Sequence, residues 1–303
     1  MALIGIRSTL INSIGHVTPG QALMESKKIG SAVEAIEGPN EYDNSKNLSE
    51  SWILDLRNYM QQLHSLFKND PTTSHLRIIG PSFVKRESST LVGDLSQWVD
   101  YGNMHPYNFP NHPGDGNIDT EASNRSKPFG GKPMIATEAG YYTASSQIDR
   151  TLSEGAQGKY LPRLFLEYFN RRVFRTFSYE LIDQRLNPNN KEGNFGILRN
   201  NGSAKPAFLT LKNLITLLQD PGKNFPLKSL NYSLSGNTIN VHHTLLQKRN
   251  GNFYLIIWQE VPSFTLITKT DILVEKVPIT LTLNTPIKKV NIYENIYSKS
   301  LNK

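Results

Sequence analysis

The chain has 303 residues and no cysteine, which excludes disulfides and thiolate metal centres but leaves the compartment open. It also lacks any apolar run near the roughly 18 residues of a membrane-spanning helix. Its first residues, Met1-Ala-Leu-Ile-Gly-Ile-Arg7, carry no basic stretch and too few apolar residues for a secretory leader. The chain as it stands therefore reads as soluble, without a signal peptide, and its localisation is otherwise unknown. No low-complexity tract and no solenoid-type repeat is found. Tryptophan is scarce, with only Trp52, Trp98 and Trp258. Asn-X-Ser triplets such as Asn47-Leu-Ser and Asn124-Arg-Ser occur, but triplets of this kind are common by chance.

The chain is 38% hydrophobic and 10% aromatic, enough for a sizeable core, so it is not of the disordered class. Its length suits one large domain or two ordinary ones. The formal net charge of +7 is unevenly spread: from Pro221 onward there are ten Lys plus Arg against four Asp plus Glu. A solvated basic face accounts for this, and a surface for an acidic polysaccharide is the sharper alternative. The basic residues are scattered and no nucleic-acid recognition motif accompanies them, so no nucleic-acid partner is expected.

Strand-like and helix-like segments alternate over the first two-thirds. Ala2 to Leu10 and Val33 to Ile36 are short apolar runs, the second ending at Glu37. Asn47 and Glu50 have the spacing of a capping box. Trp52, Ile53, Leu56, Tyr59, Met60, Leu63 and Phe67 then recur at helical spacing until Pro71. Further strands are predicted at Leu76 to Ser82, Gly102 to Tyr107, Lys132 to Glu138 and, buried, at Arg175 to Asp183. Helices are predicted at Leu91 to Val99, Tyr160 to Val173 and Ala207 to Leu218. Strands alternating with helices argue a parallel α/β sheet.

Beyond Asp220-Pro-Gly the texture changes to period two, at Thr238 to His242, Phe253 to Trp258, Ile279 to Leu283 and Val290 to Tyr293. Lys248-Arg-Asn-Gly-Asn252 is a hairpin-turn candidate. A first domain over 1–221 and a small antiparallel β-sandwich domain over 222–303 follow from this change.

In a parallel α/β barrel, catalytic side chains gather where the strands end. Glu41 follows one strand and Glu138 ends another, while His105, Tyr107, Tyr179 and Glu180 lie at or near other strand ends. Two carboxylates at one mouth can act as acid/base and nucleophile in glycoside cleavage. The acid needs a raised pKa, from burial or a negative neighbour, while the nucleophile must stay ionised. Each residue has a plainer alternative. Glu41 can be a solvated loop charge, His105 a satisfied core histidine, and Glu180 the partner of a core arginine. Glu138 lies in the apolar run Ile-Ala-Thr-Glu-Ala-Gly, where an ionisable group needs a partner. His242 and His243 point to opposite faces of a strand, no metal-ligand spacing appears elsewhere, and no cofactor is expected.

The stretches EGPNEYD (37–43) and MIATEAGYY (134–142) resemble clan A of the glycoside hydrolases, retaining β-glycosidases on a (β/α)8 barrel. The resemblance implies Glu41 as acid/base after the fourth strand, Asn40 holding the sugar 2-hydroxyl, and Glu138 as nucleophile at the end of the seventh. DYGNMHPY (100–107) resembles the sixth strand, with His105 and Tyr107 lining the site. NFGILRNNGSAKPAFLTLKNL (194–214) resembles the segment after the eighth, where Lys-Pro-Ala opens the last helix. A trailing β domain also occurs in several families of the clan, and members are often exported. The implied activity is hydrolysis of a β-linked glycoside or polysaccharide, with a carbohydrate, possibly acidic, as partner.

Two features depart from the pattern. The clan often carries a Trp sugar platform on the eighth strand, and here Tyr107, Tyr141, Tyr142 and Tyr179 must serve instead, with Tyr179 and Glu180 completing the candidate subsite. A barrel of about 250 residues uses about 31 per unit, so a fourth strand at Val33 leaves space for one preceding strand rather than three. The expectation is a TIM-type barrel with about six of eight strands, from an N-terminally truncated member whose β domain is also shortened. A catalytically impaired or purely carbohydrate-binding form on the same scaffold is the alternative. Sugar identity and exo or endo action are not encoded in these motifs.

Overall fold

The alternating apolar and amphipathic segments resolve into successive strand and helix elements in the computed structural model, which describes residues 5–46, 48–115, 117–145, 149–284 and 286–293. The chain divides into two compact units. The first comprises residues 1–106, 116–139 and 171–177. It contains β1 (Ser8–Asn12), α1 (Pro19–Ile29), β2 (Val33–Pro39), α2 (Trp52–Asn69), β3 (Arg77–Ile79), α3 (Ser88–Leu91), β4 (Gly102–Met104), α4 (Ile118–Ser126), β5 (Met134–Ala139) and most of β6 (Arg175–Ser178).

Strands β1-β2-β3 and β4-β5-β6 form two three-stranded sheets in sequence order. The pairings β1 with β2, β2 with β3 and β4 with β5 are parallel, and a parallel bridge between Ile79 and Tyr101 links the two sheets. The chain thus sets down six strands side by side in the order in which they occur, the sheet expected of an α/β protein. Both faces of it are apolar. Ile36 and Ile78 join Leu56, Met60, Leu63 and Phe67 of α2 on one face. Ala35, Ile79 and Ile135 pack together on the other, with Tyr101 and Phe177. Because side chains alternate along a strand, Glu37, Asn103 and Thr137 follow Ala35, Tyr101 and Ile135 on that second face.

Local chemistry sets the helix ends. Thr18 and Gln21 form a reciprocal capping box ahead of α1, with Pro19 in its first turn. Helix α2 buries Leu56, Tyr59, Met60, Leu63 and Phe67, each contributing roughly 1.5–3 kcal/mol relative to exposure. It begins at Trp52 with Ser51 as N-cap, so Glu50 does not take part in the predicted box, and Asn47 lies outside the described residues. The helix predicted over Leu91 to Val99 is broken. Gly93 adopts a positive φ and the Asp94 carboxylate accepts the Ser96 N–H at 2.8 Å, a local turn that competes with the helix. Strand β6 is half-buried and stops at Ser178, short of the predicted Asp183.

The second unit comprises residues 107–115, 140–170 and 178–303. Its described residues hold α5 (Glu154–Asn170), α6 (Pro206–Leu218) and six antiparallel strands. The strands are β7 (Tyr232–Gly236), β8 (Val241–Gln247), β9 (Phe253–Gln259), β10 (Phe264–Thr265), β11 (Thr270–Asp271) and β12 (Ile279–Leu283). They pair as β8 with β9, β7 with β12 and β10 with β11. The predicted turn at Lys248 closes the first pair, with Lys248 N–H donating to Asn252 O at 2.9 Å. Tyr232–Gly236 was not among the predicted strands, and Val290 to Tyr293 forms none. Helices α5 and α6 approach closely at Gly158, where a Cβ would meet Pro206 Cβ at 3.0 Å and Ala207 N at 3.2 Å. Ahead of α6, the buried Lys205 ammonium donates to Asp183 Oδ1 and Thr143 Oγ1, both at 2.8 Å.

Glu260 is the electrostatic centre of this unit. Its carboxylate accepts from Arg163 Nε at 2.8 Å and Nη2 at 2.5 Å, Trp258 Nε1 at 2.8 Å and Gly114 N at 2.9 Å, and it meets His112 Nδ1 at 2.7 Å. Burial opposes its charge, but His112 and Arg163 outweigh burial and hold its pKa at about 2. A carboxyl depressed in the folded chain stabilises the fold above its unfolded value and loses that contribution as pH falls through its folded one. Arg163→Met leaves a buried carboxylate short of its bidentate partner, at an expected cost of about 3–5 kcal/mol near neutral pH. The gap from wild type narrows as pH approaches about 2, where Glu260 protonates in both. Urea unfolding at neutral and acid pH reads this, and a pH-independent gap contradicts it.

Candidate functional site

The end of β2 turns abruptly because each residue of Glu37-Gly-Pro-Asn-Glu41 is fixed by a neighbour. Gly38 has no space for a side chain: a Cβ there would lie 2.6 Å from Met60 Sδ and 2.9 Å from Pro81 N. The Asn40 N–H donates to Asn12 O at 2.8 Å, and Asn12 Nδ2 donates to Glu37 O at 2.6 Å, so the end of β1 clamps the turn. Glu41 adopts a left-handed conformation, φ 43° and ψ 40°, which is strained for a residue with a side chain. Its N–H donates to Ser82 Oγ at 3.1 Å. Two residues on, the buried Asp43 accepts the N–H groups of Val84 at 3.0 Å and Lys85 at 2.8 Å, holding the loop that carries Ser82.

His105, one residue past β4, brings three acidic side chains together. Its Nδ1 lies 2.9 Å from Glu41 Oε1 and 3.5 Å from Glu138 Oε2. Its Nε2 lies 2.9 Å from Thr137 Oγ1 and 3.6 Å from Glu37 Oε1. The ligand atoms of Glu41, His105 and Glu138 all fall within 4.8 Å of one another. Beneath them Glu37 is wholly buried, with Oε1 accepting from Asn103 Nδ2 at 2.9 Å and in contact with Thr137 Oγ1 at 3.0 Å. Its other oxygen, Oε2, has no hydrogen-bond partner among the described residues. Burial disfavours a charged His105, but hydrogen bonds to Glu37 and Glu41 and the charges of Glu138 and Glu37 outweigh it and raise its pKa to about 9.

Of the residues predicted from sequence, Asn40, Glu41, His105 and Glu138 therefore meet at the strand ends of the first unit. Asn40 Oδ1 accepts from Ser82 Oγ at 3.4 Å. Tyr107, Tyr179 and Glu180 belong to the second unit. There Tyr107 and Tyr179 meet edge to face at 6.4 Å, and both pack on Phe195, at 5.5 and 5.3 Å. Glu180 Oε2 accepts from Gln184 Nε2 at 2.5 Å, not from an arginine. Burial, with the Asp183 charge, raises the Glu180 pKa against the opposing Gln184 bond.

Glu37, Asn103 and Thr137 were not singled out in the sequence. Their signal was parity: each lies two residues beyond an apolar residue of the same sheet face, a polar group at the end of an apolar alternation.

Among the described residues two clusters have metal-compatible spacing, Glu41 with His105 and Glu138, and Glu167 with His242 and Glu260. In each the donors already bond one another or other groups. His105 Nδ1 meets Glu41, His242 Nδ1 meets Glu167 Oε1 at 2.5 Å, and Glu260 is saturated by Arg163, His112, Trp258 and Gly114. No metal ligand set is assigned to either. His242 and His243 serve separate partners, the second packing on Tyr232 at 5.6 Å. No helix among the described residues is long and apolar enough to cross a membrane.

No protein-family model matches the chain, and no curated protein matches it. Solved structures do. A Rhizomucor miehei β-1,3-glucanosyltransferase, an active-site mutant with laminaritriose, is similar at a TM-score of 0.54 and 16% identity, over 68% of this chain and 77% of that one. A second structure, the family 17 β-1,3-glucanosyltransferase from the same organism, has a TM-score of 0.52 at 16% identity, with the same coverage of both chains. A family 39 glycoside hydrolase from Bacteroides cellulosilyticus WH2 is similar at 0.51 and 19% identity, over 82% of this chain and 52% of that one, about half its length. The resemblance to clan A glycoside hydrolases thus holds at the level of the fold alone: the chain has an α/β fold similar to that of these glycoside hydrolase and transferase structures.

Proposed function

We propose that this chain cleaves the O-glycosidic bond of a β-linked glycoside or polysaccharide by double displacement, with Glu138 as nucleophile and Glu41 as acid/base. The observation that carries this reading is the proximity of the two carboxylates, whose oxygens approach within 4.8 Å. Retaining glycosidases hold their pair about 5–5.5 Å apart, whereas inverting enzymes need about 6.5–9.5 Å to admit a water. Glu138 attacks the anomeric carbon while Glu41 protonates the departing oxygen. Glu41 then takes a proton from the water, or from the acceptor sugar, that releases the glycosyl group. An acceptor sugar gives the transfer chemistry named for the Rhizomucor neighbours.

In this reading strands β1 to β6 belong to the wall of an incomplete TIM-type barrel, the domain assigned to 1–221, with a β-sandwich domain assigned to 222–303. Asn40 and His105 contact the sugar at the cleavage point. Tyr107, Tyr179 and Glu180, all of the second unit, are assigned to sugar binding in place of a tryptophan. The basic excess after Pro221 suits an acidic polysaccharide. The test is proton NMR of the first-formed product from aryl β-glycosides. Release of the β-anomer supports the reading, and release of the α-anomer points to inversion and removes the nucleophile role from Glu138.

A further inference from the structure

The buried Glu37 is not used by the two-carboxylate mechanism, yet it is the least accessible charged group of the cluster, with an unpartnered oxygen. Such a group is costly unless a nearby positive charge offsets it. The hydrogen-bond pattern indicates where that charge lies. Thr137 Oγ1 contacts Glu37 Oε1 at 3.0 Å, Asn103 Oδ1 at 2.8 Å and His105 Nε2 at 2.9 Å. The first two are acceptors, and the hydroxyl has one proton to give them. Nε2 must then be an N–H that donates to Thr137. On the other side of the ring, among the described residues, Nδ1 faces the carboxylates of Glu41 and Glu138. One proton therefore sits between Nδ1 and Glu41, on one atom or the other.

We propose that Glu37 is a positioning residue that keeps this proton on His105 in the empty site, and that His105 passes it to Glu41 for the acid step. The proposal rests on the double-displacement reading above. In the transfer the Nδ1–H bond breaks, an O–H bond forms on Glu41 Oε1, and the imidazolium becomes neutral imidazole. Glu41 gives the same proton to the leaving oxygen as Glu138 takes the anomeric carbon. The proton lost by the incoming water returns through Glu41 to Nδ1. Among the described residues, the groups facing the ring are Glu37 from β2, Glu41 from the turn after it and Glu138 from β5, with uncharged Thr137. All three charges favour the imidazolium, and its raised pKa agrees with this. Glu37 differs from the other two because it is wholly buried and acts on the Nε2 side, through Thr137 and directly at 3.6 Å.

The experiment is histidine NMR on the free protein, with ring nitrogens labelled, alongside a pH profile of kcat/KM. Wild-type His105 is expected to show two protonated ring nitrogens at neutral pH, and a neutral ring there overturns the proposal without any variant. Glu37→Gln keeps the shape and removes the charge. It should lower the His105 titration by roughly one pH unit or more, about tenfold in proton affinity, and move the alkaline limb of kcat/KM by the same amount, with KM near wild type. An unshifted titration with activity reduced equally at every pH means a structural role and overturns it. If His105 is charged and Glu37→Gln lowers its titration but no glycoside is cleaved, the glycosidase reading fails and the Glu37–His105 assignment stands. If cleavage proceeds with a neutral His105, the reverse holds.

Discussion

Glu138→Gln loses turnover on the order of 10⁴-fold or more on aryl β-glycosides, because an amide cannot form the glycosyl ester on which both half-reactions depend. The loss is expected for activated and unactivated leaving groups alike, since the nucleophile is required whatever departs. Gln is close in size to Glu, and Glu138 is partly exposed at the end of β5, so the variant should melt near the wild-type temperature. It also removes one of the three negative charges facing His105, which should then titrate lower. Activity within about tenfold of wild type, in a chain of unchanged melting temperature, assigns the nucleophile elsewhere.

Glu41→Ala should separate substrates by leaving group. A poor leaving group, such as an alkyl or sugar alcohol, needs the proton that Glu41 donates, and its cleavage should slow by roughly 10²–10⁴-fold. A dinitrophenolate departs without protonation, so formation of the intermediate should be nearly unchanged. Hydrolysis of that intermediate should be slow, since no base then activates the water, and a burst should appear. Added azide, which needs no base, should restore release. Equal slowing of all substrates would mean that Glu41 holds the sugar rather than transferring a proton. The variant also relieves the left-handed strain at position 41 little, because Ala still has a Cβ, so any gain in stability stays small.

The sequence was most informative where one rule governs an element. The α2 face and the hairpin at Lys248 follow from period and turn residues. The sequential order of β1 to β6, with parallel pairing from β1 through β5, follows from alternation with helices. Prediction failed where a local bond competed with a pattern. Gly93 and the Asp94 side chain interrupted an apolar segment with helical spacing. In the site, Glu41, His105 and Glu138 stood out because each ends or follows an apolar run. Glu37 sat inside the same motif and was read only as the end of its strand. Its role depends on strands β4 and β5, whose Asn103 and Thr137 lie 66 and 100 residues away in the chain, a relation that no local pattern encodes.

The most direct test of the account is to trap the glycosyl ester. The chain is incubated with an activated 2-deoxy-2-fluoro β-glycoside, which forms the intermediate readily and hydrolyses it slowly, then digested and mapped by mass spectrometry. The account predicts one added fluoroglycosyl mass, on the peptide containing Met134-Ile-Ala-Thr-Glu138 and localised to Glu138, and no label in Glu138→Gln. A label on Glu41, Glu37 or Glu180 in its place would contradict it.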